Sequence, residues 1–165
     1  MTGSIIRQEG EGERFWFYGG GVFTVKATAE ESGGSLFMFE DEMVKGKVTP
    51  LHIHPDEEET IYVLDGELLV HCDGENKPLR AGGVVMAPRG APHAFMVTSD
   101  TARILTILAP GRVEAFYRGA SEPATADVLA AGPVDFDRVR ESAEKNGGLE
   151  ILGPPPFEMA GLSTG

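Results

Sequence analysis

Short runs of alternating apolar and polar residues dominate the first 110 positions. From Val22 to Thr28, Val22, Thr24 and Lys26 fall on one side and Phe23, Val25 and Ala27 on the other. A period of two is the pattern of a half-buried strand. Other β-prone runs cover Arg14 to Tyr18, Leu36 to Val44, Leu51 to His54, Thr60 to Leu64 and Glu67 to Cys72. Others follow over Lys77 to Ala81, Val84 to Ala87, His93 to Thr98 and Ala102 to Ala109. Gly19-Gly20-Gly21, Asp65-Gly66, Asp73-Gly74, Gly82-Gly83 and Arg89-Gly90 punctuate them. Many short strands at this pitch predict an all-β sandwich or barrel.

The pattern changes after Pro110-Gly111. Val113 to Arg118 reads as a short amphipathic helix and Ala124 to Ala131 as a weak one. Asp135 to Lys145 reads as a third, with Asp135 as cap, Phe136, Val139 and Ala143 on one face, and Asn146-Gly147-Gly148 as the stop. The expected division is therefore a β domain over 1–110, a helical appendage over 111–158 and a disordered tail over 159–165.

Composition narrows the function classes. The formal net charge is −12, which argues against nucleic acid and anionic membranes as partners. Cys72 is the single cysteine, so an intrachain disulfide and a multi-thiolate metal site are excluded. It also fits a reducing compartment. The start of the sequence lacks the basic, then apolar, pattern of a signal peptide. The expected location is cytoplasmic.

Two stretches carry the chemistry. The first reads Gly46, five residues, His52, one residue, His54, four residues, Glu59, six residues, Gly66. The second reads Gly82, five residues, Pro88, Arg89, Gly90, two residues, His93. His52 and His54 share a face of one strand by alternation. If that strand pairs with the one opened by Glu59, a carboxylate approaches two imidazoles, and His93 can supply a third nitrogen. Such an N/O set suits one divalent iron, nickel, manganese, copper, cobalt or zinc ion. An octahedral ion held by four side chains keeps two positions open for substrate or dioxygen.

These stretches resemble the paired signature motifs of the cupin superfamily, over 46–66 and 82–97. Where many members have Asn four residues after the second-motif histidine, this chain has Val97. The resemblance implies a double-stranded β-helix, a conical jelly-roll barrel with the metal at its wide end. It implies His52, His54, Glu59 and His93 as ligands, and a homodimer. The layout, including the Gly-Arg-Val-Glu-Ala-Phe-Tyr stretch at 111–117, is most similar to the small bacterial cupins grouped with flavonol (quercetin) 2,3-dioxygenase. That implies a dioxygenase acting on a flavonol-like or other enolizable aromatic or polyketide small molecule, with Glu59 both ligand and base. A Lewis-acid cyclase or isomerase and a non-catalytic small-molecule binder are the alternatives.

Phe37, Phe39, Met43, Ile61, Val63, Met86, Phe95 and Met96 are candidates either to line a substrate pocket or to pack in the core. Phe95 shares a face with His93. Asp56, Glu57 and Glu58 read as a solvated loop beside the site, Tyr62 as packing between sheets or at an interface, and Cys72 as core. Trp16 reads either as an interface residue or as buried under the C-terminal helix.

Overall fold

The computed structural model describes residues 3–124 and 134–158. Two antiparallel sheets face one another. The first has seven strands in the order β11-β1-β2-β3-β10-β5-β8. Its members are β1 (Arg14–Phe17), β2 (Val22–Ala27), β3 (Phe37–Val44), β5 (Glu58–Asp65), β8 (Val84–Ala87), β10 (Thr101–Ala109) and β11 (Ser121–Pro123). The second has the order β12-β4-β9-β6-β7. It contains β4 (Leu51–Ile53), β6 (Glu67–Cys72), β7 (Glu75–Arg80), β9 (His93–Val97) and β12 (Glu150–Gly153). A short 3-10 turn leads into α1 (Glu114–Gly119), and α2 (Phe136–Asn146) follows. The ten expected strands are all present, with ends moved by at most two residues.

Local chemistry explains the strand ends. Asp73 and Gly74 join β6 to β7 with φ of 52° and 77°, as a two-residue hairpin of the I′ kind requires. At Gly66 φ is 83° and a Cβ would collide with the Thr101 carbonyl, so only glycine serves the tight β5–β6 turn. Pro78 lies inside β7, where its missing N–H is tolerated because β7 is an edge strand.

The inward faces build the core. In β3 every second residue is buried: Phe37, Phe39, Asp41 and Met43. β10 answers with Ala102, Ile104, Thr106 and Leu108. One cluster gathers Phe23, Phe37, Phe39, Leu108, Phe116 and Tyr117, and a second gathers Met43, Ile61, Val63, Leu68, Val70 and Phe95. Cys72 packs half-buried against the second. Phe37 is fully buried, its ring centroid 5.3 Å from that of Phe39 and 5.8 Å from that of Tyr117. Phe37→Ala should therefore lower stability by about 3–5 kcal/mol, read as the shift of a urea unfolding curve.

The region after residue 110 departs from a purely helical appendage. α1 and α2 match two of the expected helices, and the Asp135 side chain accepts from the Arg138 N–H as the cap. The third, over 124–131, lies almost wholly outside the described residues, as does the tail over 159–165. The departure is two strands: β11 pairs with β1 and β12 pairs with β4. Each barrel sheet is thus completed by a C-terminal edge strand. These strands are three and four residues long and contain Pro123 and Gly153, so they carry little alternation. Trp16 is 41% exposed, whereas Phe15 and Phe17 turn inward against the first cluster. No helix of the described residues is long and apolar enough to cross a membrane.

Candidate metal centre

Three strands bring the histidines and the carboxylate together. β4 and β9 pair so that His52 stands opposite His93. His54 directly follows β4, and Glu59 lies on the inward face of β5. All four side chains are buried, and each offers a ligand atom within 4.8 Å of the others. The second nitrogen of every ring is held by a backbone carbonyl. His52 Nδ1 lies 2.8 Å from the Pro50 oxygen, His54 Nδ1 2.6 Å from Gly148 and His93 Nδ1 2.9 Å from Ala91. Donation from Nδ1 orients each ring and turns its Nε2 towards the centre of the cluster. The Gly148 carbonyl comes from the turn after α2, so the C-terminal region orients one imidazole of the cluster.

The cluster fits a divalent ion on its own chemistry. His93 Nε2 and His54 Nε2 lie 2.6 and 3.4 Å from the same oxygen of Glu59. His54 Nε2 is buried with no hydrogen-bond partner among the described residues, a costly arrangement unless something else takes up the nitrogen. Burial and the two neighbouring imidazoles push His52 down to about 3, so it stays neutral at any ordinary pH. Burial alone would raise Glu59, but the charges of His54 and His93 and the hydrogen bond with His93 outweigh it and hold the carboxyl well below its usual range. Burial alone would lower His93, and here the Glu59 hydrogen bond and charge win, raising it. Three buried imidazoles beside an ionised carboxylate make the N₃O set that a mid-hard divalent ion takes.

The sign of the pH effect follows. A metal must displace the proton that Glu59 holds on His93. Affinity should be level above the raised His93 value and fall by about tenfold per pH unit below it, with His52 adding nothing until far lower pH. Competition with a chromophoric chelator, followed across pH, would show this as a single-proton slope.

Of the pocket candidates, the structure brings two to the cluster. Phe39 and Phe95 line a cavity of about 50 Å³ that His52 and Glu59 also face, together with Tyr117, Phe116 and Thr106. Phe136, Val139 and Leu149 from the C-terminal region line it too. Phe37, Met43, Ile61 and Val63 are core residues behind it, and Met96 is half-buried beside Val48 and Ala94. Met86 is a correction. It is 60% exposed, because alternation along β8 turns Val85 and Ala87 inward and Val84 and Met86 outward. Tyr62, opposite Val84, is exposed on the same strand pair.

A second correction concerns the acidic run. Asp56 and Glu58 are exposed, but Glu57 is buried with neither carboxylate oxygen hydrogen-bonded among the described residues. Burial raises its pKa despite the nearby charge of His54. Glu57 stands two residues before Glu59, so alternation alone was the signal that it shares the inward face. Sequence reasoning also missed Asp41 and Lys47, which line the same cavity. The signal for Asp41 was its place between Phe39 and Met43 on the inward face of β3.

The chain is similar to several known proteins. A family model described as "Cupin domain" matches residues 39–108. Quercetin 2,3-dioxygenase of Bacillus subtilis (strain 168) is 34% identical over 144 residues, covering 84% of this chain and 42% of that protein. Polyketide synthase CurC of Streptomyces cyaneus is 37% identical over 93 residues, covering 56% of this chain and 60% of that protein. The chain thus spans about half the length of these curated relatives. Among solved structures, a predicted oxalate decarboxylase from Thermotoga maritima superposes with a TM-score of 0.58 at 21% identity, over 65% of this chain and 99% of that one. An RmlC-like cupin from Shewanella frigidimarina NCIMB 400 gives 0.58 at 23% identity, over 69% and 98%. The two-sheet barrel, the motif pair and the buried cluster that it encloses place this chain in the cupin superfamily.

Proposed function

We propose that the protein is a metal-dependent dioxygenase acting on a flavonol-like or other enolizable aromatic small molecule, with His52, His54, Glu59 and His93 as the ligands of one divalent transition ion. The observation that carries this is the buried N₃O cluster opening on a cavity walled by Phe39, Phe95 and Tyr117. The 34% identity to a quercetin 2,3-dioxygenase supports the reaction class. The chemistry a divalent ion supplies when bound is charge that favours an enolate and, for a redox-active ion, electron exchange with dioxygen.

The chain's own residues do the rest. Glu59 accepts the substrate's hydroxyl proton, since a carboxylate has an oxygen for that proton besides the one facing His93. The carbonyls of Pro50, Gly148 and Ala91 keep the imidazoles aimed at one point. The aromatic walls exclude water and present faces for a flat ring to stack on. A cavity of this volume holds a few waters, so a three-ring substrate enters only as the walls give way.

The second reading is a cyclase using the ion as a Lewis acid, favoured by the likeness to a polyketide synthase protein. A homodimer in the cytoplasm completes the proposal. Support for the second copy comes from the exposed Val84, Met86 and Tyr62 at the β8 edge, an apolar row that pairing would cover. The test is elemental analysis of purified protein followed by oxygen-electrode assays on flavonols. Substrate-dependent oxygen uptake is expected with iron, nickel, manganese, copper or cobalt. Turnover without oxygen, with zinc bound, would transfer the assignment to the cyclase.

A further inference from the structure

Lys47 and Asp41 form a charged pair inside the barrel. Both are buried, at 6% and 5% exposure, and both line the cavity that Glu59 and His52 face. The ammonium donates to the Gly20 carbonyl at 3.0 Å and lies 5.0 and 5.3 Å from the ring centroids of Phe17 and Phe95. The pair itself is open. Lys47 Nζ stands 3.7 Å from Asp41 Oδ2, beyond hydrogen-bond reach. Asp41 Oδ1 has no hydrogen-bond partner among the described residues.

An ion pair buried in this way contributes little to stability, because desolvation cancels the attraction unless hydrogen bonds saturate both groups. Here they do not. What remains on the cavity wall is a donor and an acceptor at the spacing that a third polar atom bridges. A bare anion would meet Asp41, and a bare cation would meet Lys47. A neutral hydroxyl suits both, since its oxygen accepts from the ammonium while its proton goes to the carboxylate. The Phe95 ring beneath the ammonium, with Phe39 on the same cavity, puts an aromatic surface beside that point.

We propose that the open Lys47–Asp41 pair is a hydroxyl-binding subsite, so that the substrate is an aromatic molecule carrying a neutral hydroxyl in addition to the oxygens that face the histidine cluster. This rests on the reading of the cavity as a substrate site but not on the use of dioxygen. Lys47 and Asp41 are then specificity-determining residues, and the metal cluster holds the reacting end.

The test compares phenol with toluene, equal in size and differing in one hydroxyl, by ligand-observed NMR titration of the protein as purified, with metal content measured alongside. Wild type should prefer phenol by about tenfold or more, the worth of one hydrogen bond to a charged acceptor. In Asp41→Leu with Lys47→Met, an apolar replacement of the whole pair that buried ion pairs commonly tolerate, most of that preference should vanish while toluene binding and metal content stay. Asp41→Asn, which keeps an acceptor oxygen, should retain part of it and serves if the double variant misfolds. Equal affinity for the two probes, binding of neither, or a preference undiminished in the variants would overturn the subsite. Absence of oxygen uptake with flavonols would instead overturn the dioxygenase reading, leaving the phenol preference intact.

Discussion

His52→Ala combined with His54→Ala should abolish metal binding and, with it, turnover. The two imidazoles supply half of the candidate ligand set, and both are pre-aimed by backbone carbonyls. Their loss leaves His93 and Glu59, which already engage each other at 2.6 Å. Protein purified in parallel should carry close to one ion per chain in wild type and almost none in the variant. A thermal readout separates this from misfolding. A ligand that binds only the folded state stabilises it by about 4 kcal/mol at a thousandfold excess over Kd. Added metal should therefore raise the wild-type melting temperature and leave the variant's unmoved. A variant holding as much metal as wild type would remove these residues from the site.

Glu59→Gln is the second large effect. The amide keeps the shape and one oxygen but loses both the charge and the basicity. If Glu59 takes the substrate proton, kcat should fall by about 10²–10⁴. The charge loss also releases His93, whose raised pKa depends on Glu59. The His93 value should drop towards that of a buried imidazole, so the acid limb of metal binding should move to lower pH. A variant whose kcat is intact despite normal metal content would assign the base elsewhere. Measuring metal content and rate on the same samples keeps the ligand and base roles of Glu59 apart.

Much of the fold was legible because alternation is a local property. β3 and β10 announce their inward faces residue by residue, and the Asp73-Gly74 and Asp65-Gly66 turns mark where strands reverse. β11 and β12 were not legible. Each is short, contains proline or glycine, and exists as a strand only because β1 or β4 offers an unpaired edge. Met86 shows how phase matters. Its place on a strand was right, but which face met the core depended on the register of β8 against β5. Glu57 shows the converse, since its alternation with Glu59 was visible while its acidic neighbours disguised it as part of a solvated run.

The same division holds for the site. The sequence by itself determined the candidate donor set, because one cysteine excludes a multi-thiolate site and the His-x-His spacing puts two imidazoles on one face. It also determined that Glu59 and His93 begin strands able to reach them. Only the tertiary structure decided that the four atoms converge and that each imidazole is oriented by a carbonyl, one of them from the turn after α2. It alone put the open Lys47–Asp41 pair on the wall of the same cavity. Ligand spacing is written within a strand or across one turn, whereas orientation and a shared cavity arise from contacts between segments far apart in the chain.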